Sequence, residues 1–183
     1  MKKYEFTGEV KYIGRKILHR IRAVRDIPEY EIKSGDMGGW LETEKNLSHN
    51  GSAWVADSAV VMDEARVTGA ARVTGNALVM DSARVMGKAL VTDSARVMGK
   101  AMVTDSADYI AIGAIGSRDD TTTFYRGTDG GIYVSCGCFS GSIDDFAAKV
   151  KAVHAGTKHE RTYLLAIELA KAQIATEEEE SDD

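Results

Sequence analysis

Proline is nearly missing: the 183 residues hold one, Pro28, against 18 glycines. Chain reversals therefore fall to glycine and to short polar residues, which suit many tight turns. There is also no apolar run near the roughly 18 to 20 residues that a spanning helix needs. The Met1-Lys2-Lys3 start leads into Tyr4-Glu5-Phe6 rather than into an apolar signal segment. These absences argue against membrane insertion and export, and a cytoplasmic protein, in a bacterial host, is expected. Cysteine is scarce as well. Cys136 and Cys138 stand one residue apart, too close to join distant parts of the chain, so free thiols are expected rather than a structural disulfide.

Net charge is small. The formal value is −5, and residues 177–183, Glu177 to Glu180 then Ser181, Asp182 and Asp183, carry more negative charge than that by themselves. The rest is close to neutral, and the acidic run reads as a solvated tail. With 44% apolar residues the remainder can fill a core.

What the sequence has in abundance is repetition. Ten six-residue units run from Gly51 to Ile110 without an insertion: GSAWVA, DSAVVM, DEARVT, GAARVT, GNALVM, DSARVM, GKALVT, DSARVM, GKAMVT and DSADYI. Alanine holds the third place in all ten, and valine the fifth in nine, with Tyr109 in the last. Places three and five share strand periodicity and point one way, four and six the other, while Gly or Asp in place one is turn chemistry. A strand so short is unstable alone, so the units must stack and bury an Ala/Val ladder.

This pattern resembles the left-handed parallel β-helix of hexapeptide-repeat proteins, with three units to a triangular coil, although Thr or Met stands where those enzymes favour glycine. On that basis 60 residues make about 3.3 coils, roughly 16 Å tall at about 4.8 Å per strand. Sorting every third unit into a column gives three outward faces. The first carries Trp54, Ala56, Arg72, Thr74, Leu90, Thr92, Asp108 and Ile110. The second carries Val60, Met62, Leu78, Met80, Arg96 and Met98, and the third Arg66, Thr68, Arg84, Met86, Met102 and Thr104. The second face is apolar but for Arg96 and is expected to be an interface, between copies of the chain or with a partner.

Ahead of the repeats, Lys16 to Val24 reads as a strand. Gly38 and Gly39 supply a turn and Trp40 an anchor, so residues 1–50 form an N-terminal β cap in which Gly39, Trp40 and Trp54 are structural. Arg22, Ala23, Val24, Gly39, Trp40, Asn46, Leu47, Ser48, Trp54 and Val55 are similar to the N-terminal part of YdcK-like hexapeptide-repeat proteins and their phage and prophage relatives. That resemblance implies a fold and no particular activity. Residues 111–176 read as a small α+β domain. Strands are expected at Tyr109 to Ile112, Thr121 to Arg126 and Gly131 to Cys136. A first helix is capped by Ser142 and lined by Ile143, Phe146, Ala147, Val150 and Val153, and a second runs from about Glu160 to Ala175, burying Tyr163, Leu164, Ile167 and Ile174. Its sequence resembles an uncharacterised domain found at the ends of phage proteins. The expected fold class is thus mainly β: a short β-helix at 51–110, a β cap before it, an α+β domain after it, and the tail.

Catalytic candidates are few. Hexapeptide-repeat relatives are often acyltransferases with a catalytic histidine in a subunit cleft. Here only His49 lies near the repeats, no loop interrupts them, and His49 reads as a cap residue. The carbonic-anhydrase variant needs three zinc-binding histidines that the repeats lack. Cys136, Cys138, His154 and His159 match no common zinc spacing, so neither metal nor cofactor is expected. Arg66, Arg72, Arg84, Arg96, Lys88 and Lys100 are balanced by Asp57, Asp63, Glu64, Asp81, Asp93, Asp105 and Asp108, which leaves no basic stripe for nucleic acid. Arg118, Asp119 and Asp120 form a possible polar pocket. The reading is a non-enzymatic phage-type binding or scaffold protein that forms a homo-oligomer, dimer or trimer, and acts by protein contact. Alternatives are an inhibitor of a host defence complex and an acyltransferase.

Overall fold

A computed structural model describes residues 2–174; the acidic segment 177–183 lies outside the described residues. The alternating N-terminal strands form a hairpin, β1 (Tyr4–Ile13) and β2 (Lys16–Ala23), and β2 pairs antiparallel with β3 (Met37–Leu41). Nine two-residue strands follow, each the fourth and fifth places of one unit: β4 (Trp54–Val55), β5 (Val60–Val61), β6 (Arg66–Val67), β7 (Arg72–Val73), β8 (Leu78–Val79), β9 (Arg84–Val85), β10 (Leu90–Val91), β11 (Arg96–Val97) and β12 (Met102–Val103).

These strands stack in parallel every third unit. Trp54 pairs with Arg72 and Arg72 with Leu90; Val60 with Leu78 and Leu78 with Arg96; Arg66 with Arg84 and Arg84 with Met102. The three expected columns are therefore the three faces of a β-solenoid. Inside it, Ala53 to Ala101 and Val55 to Val103 of the nine units are fully buried. Each buried valine side chain stabilises the stack by about 1.5 kcal/mol or more.

The solenoid has about four turns because it starts before the repeats. Trp40 and Leu41 pair in parallel with Val60 and Val61, and Leu47 bridges to Val67. Leu41 and Leu47 take the inward place of the valines and are buried. Two extra residues in the corner ahead of Val55 broke the six-residue spacing and hid this coil. Gly38 and Gly39 accordingly lie in β3 rather than in a turn. A Cβ on Gly39 would stand 2.7 Å from the Ala59 carbonyl oxygen, and one on Gly38 2.8 Å from the Trp54 ring, so these glycines allow close packing.

The tenth unit leaves the coil. Ser106–Asp108 form a 3-10 turn, and β13 (Tyr109–Ile115) opens a four-stranded antiparallel sheet with β14 (Asp120–Arg126), β15 (Ile132–Cys136) and β16 (Phe139–Ser142). One face of this sheet, with Tyr109, Ala111, Tyr125 and Tyr133, packs on the end of the solenoid core. The other, with Ile110, Ile112, Phe124 and Val134, packs on α1 (Ile143–His154) and α2 (Lys158–Gln173). The Ser142 hydroxyl caps α1 by accepting from the Asp145 N–H at 3.1 Å.

The ladder is polar along its axis, because each coil's amides donate to carbonyls of the next coil, as Trp54 N does to Ala71 O at 2.9 Å. The first coil is left with free carbonyls and the last with free amides, so the two caps need opposite chemistry. The N-terminal cap supplies donors, the Tyr4 hydroxyl to Leu47 O at 2.9 Å and the Lys3 ammonium to Ala53 O, while within the first coil Asn46 Nδ2 continues the ladder to Ala65 O at 2.9 Å. The C-terminal cap supplies acceptors. Ser106 Oγ takes the Leu90 amide at 3.3 Å, the Tyr109 hydroxyl that of Thr92 at 3.3 Å, Thr123 Oγ1 that of Arg96 at 3.0 Å and Asp108 Oδ2 that of Thr104 at 2.7 Å.

Candidate functional site

The face expected to be an interface is covered by the chain itself at Val60 and Met62. Val60, Met62, Leu78, Met80, Arg96 and Met98 do point outward from the coils, yet Val60 is 6% and Met62 4% exposed, packed under Leu18 of β2 with Trp40, Leu78 and Met80 beside them. Leu78, Met80 and Arg96 are half-buried, and Met98 packs against the main core. Of the cap residues, Trp54 is buried in the main core, with its ring close against Gly38. Trp40 is half-buried on the outer face, where the Lys11 ammonium sits 4.5 Å from its ring. The hairpin roofs this face because the alternation of β2 turns Leu18 down onto it, and Lys16 beside it pairs with Glu42 at 2.9 Å and with Asp63.

The apolar surface has moved outward, to the other side of the hairpin. Val10 pairs with His19 and Tyr12 with Ile17 across β1 and β2, so these four side chains share a face opposite Lys11 and Leu18. Val10 is 45%, Tyr12 68% and Ile17 44% exposed. The edge of β1 itself is interrupted. Gly8, at φ +89°, sits in a bulge between Phe6 and Val10, and the Glu9 amide is satisfied by Thr7 Oγ1 at 3.1 Å. A bulged edge resists strand addition, which leaves the side-chain face as the open feature.

A second feature is a cleft of about 230 Å³ where the β13–β14 corner and the β15–β16 turn meet α1 and α2. Its floor includes Phe139, Phe146, Val150 and Tyr163, and Arg118, Asp120 and Lys149 stand around it. Of the expected polar pocket, Arg118 and Asp120 are thus brought together, whereas Asp119 is exposed in a left-handed turn at φ +48° and does not line the cleft. Val153, expected in the core, is 64% exposed at the cleft rim. Cys136 accepts from Thr122 Oγ1 at 3.2 Å and lies 3.7 Å from the Tyr163 hydroxyl, while Cys138 accepts from Arg118 Nη1 at 3.6 Å. Burial, then the neighbouring Cys136 thiol, raises the Tyr163 phenol above its ordinary value. Gly116, at φ +77°, makes room for that phenol, since a Cβ there would stand 1.8 Å from the oxygen.

His49 serves the cap. Its Nδ1 accepts from the Lys3 amide at 3.2 Å and its ring stacks on Tyr4 at 4.3 Å. Burial, followed by the charges of Lys2 and Lys3 against that of Glu44, holds its pKa below the ordinary histidine value. His154 and His159 meet edge to face at 5.8 Å. Among the described residues no three of His, Cys, Asp and Glu converge in a metal-binding arrangement, and no helix is long and apolar enough to cross a membrane.

No protein-family model matches the chain, and no curated protein matches it. The surface must therefore be read on its own chemistry. The Val10, Tyr12 and Ile17 group had a signal in the sequence, the alternation V-x-Y across a Gly14-Arg15 turn from Ile17. That alternation identifies a hairpin, but which of its faces is covered depends on Leu18 meeting Val60 and Met62, a contact across more than 40 residues.

Proposed function

We propose that this chain is a non-enzymatic, self-associating scaffold or binding protein of phage or prophage type that works in the cytoplasm through protein contact. One observation carries the reading: the hairpin presents Val10, Tyr12 and Ile17 side by side and exposed, while Leu18 on its other face is buried with Val60 and Met62. A contiguous apolar group of this kind, outside the core, marks a contact surface. The group contains no formal charge, so a second copy can meet it across a two-fold axis without like-charge repulsion. A further apolar pair, Leu165 and Leu169, is exposed one turn apart on α2, behind the sheet that closes the far end of the solenoid. Two separated patches suit a scaffold that joins its own kind at one end and a partner, such as a host protein complex, at the other.

Light scattering on the purified full chain tests the reading. The expected mass is a small multiple of 19.8 kDa, falling to the single-chain value when Tyr12→Glu and Ile17→Glu are combined. A single-chain mass for the unaltered protein at every concentration overturns it.

A further inference from the structure

We propose that the cleft between α1 and the β15–β16 turn binds a small organic anion, one carboxylate or phosphate group carried on a flat apolar body. The floor and the rim of the cleft differ in chemistry. Phe139, Phe146 and Val150 give the floor two aromatic rings and a branched aliphatic, with the rings of Phe139 and Phe146 at 5.2 Å. Such a floor takes a ring by stacking and edge contact.

Two cations stand above it on different elements. Lys149, from α1, holds its ammonium 5.4 Å from the Phe139 ring centre, and Arg118 comes from the turn after β13. Among the described residues neither forms an ion pair; the contact of Arg118 is the sulfur of Cys138 at 3.6 Å. The one acid at the cleft, Asp120, has its Oδ1 engaged by the Thr121 amide at 2.8 Å. A guanidinium with unfilled donor positions recognises carboxylate or phosphate in two-point fashion, and an ammonium adds a point charge.

Size narrows the ligand further. About 230 Å³ is below the roughly 300 to 1,000 Å³ of sites that take drug-sized molecules. One ring with one anionic group fits, and a nucleotide does not. The two turns that frame the cleft are built on left-handed residues, Gly116, Asp119 and Gly137, all at positive φ.

The probes are phenyl phosphate and benzoate, with benzyl alcohol as the neutral control and inorganic phosphate as the control without a ring. Amide chemical shifts of the full-length, isotopically labelled protein are followed during each titration. The expected result is saturable shifts at Arg118, Gly137, Cys138 and Lys149 with a Kd of about 1 mM or tighter for the two aromatic anions, and at least tenfold weaker binding of both controls. Arg118→Gln and Lys149→Gln, both at exposed positions, keep the native spectrum and each weaken binding about tenfold or more. Equal binding of benzyl alcohol, no saturation by about 10 mM, or unchanged affinity in both variants overturns the proposal.

Discussion

At the corners of the solenoid a single residue decides whether the next coil can lie down. Each of the nine coil units starts with a left-handed residue: Asp57, Asp63, Asp81 and Asp93 at φ between +54° and +59°, and Gly51, Gly69, Gly75, Gly87 and Gly99 at +62° to +70°. Three of the aspartates offset that strain by accepting from the next corner's amide, Asp57 from Gly75 at 3.0 Å, Asp63 from Asp81 at 3.3 Å and Asp81 from Gly99 at 2.9 Å. Gly87 has no such option, because a Cβ there would stand 2.2 Å from Thr104 O, whereas around Gly99 nothing lies within 4 Å. Gly99→Asp therefore meets no clash but keeps left-handed strain with no further corner to bond, and is expected to cost about 1 kcal/mol. Gly87→Ala, combining left-handed strain with overpacking, costs roughly 2 to 5 kcal/mol in urea unfolding. The alternation of Gly and Asp was legible in the sequence as turn chemistry. Which corners tolerate a side chain was not, since that depends on the residue 18 places on.

Lys3 sets a pH dependence at the same scale. It is fully buried beneath the first coil, and burial, then the charge of Arg25, lowers its pKa to about 8. The unfolded chain keeps this proton to about pH 10.4, so between pH 8 and 10 it binds more protons than the folded one, and stability rises with pH in that window. Tyr4 acts in the opposite sense: its phenol is raised by burial and by Glu44, so stability falls once the unfolded phenol ionises above about pH 10. Thermal melts should thus show an alkaline rise to a maximum below pH 10. In Lys3→Met the rise is expected to flatten, and its persistence there would show that another group is responsible.

At the scale of elements the caps matter most, because they end a ladder whose two ends have opposite polarity. Thr123→Val removes the acceptor of the Arg96 amide at the closed end of the last coil. An unsatisfied buried amide costs about 1 to 3 kcal/mol, and local hydrogen exchange at Arg96 should quicken; exchange unchanged at that amide would contradict the capping role. The periodic elements could be read from the sequence: ten units, of which nine form coil and the tenth departs at Ser106–Asp108, their three faces, and α1 with its Ser142 cap. What escaped reading was irregular or nonlocal. The first coil hides behind a corner two residues too long, β16 is made of Phe, Ser and Gly with little strand character, and Val153 follows the helix period yet lies where α2 does not cover it.

For the whole molecule, the same principle decides where function can lie. The solenoid spends its inner face on the Ala/Val core and much of its second outer face on Leu18, and it is closed at both ends. Open are the first and third outer faces, where Leu90, Arg66 and Arg84 are exposed, the far side of the hairpin, the Leu165 and Leu169 pair on α2, and the cleft at Arg118 and Lys149. The alternation of the repeat predicted an outward apolar column, and the structure shows that Val60 and Met62 of that column are buried with Leu18 of the hairpin. The sequence also named Arg118 and Asp120 without the aromatic floor that makes them part of a cleft.

The central claim is that copies of this chain meet through the hairpin, and concentration-dependent hydrogen exchange measured by mass spectrometry tests it most directly. The account predicts that peptides covering Val10 to His19 exchange more slowly as concentration rises, and that this protection is lost when Tyr12→Glu and Ile17→Glu are combined. Exchange in that segment that does not change with concentration, with or without protection elsewhere, would contradict it.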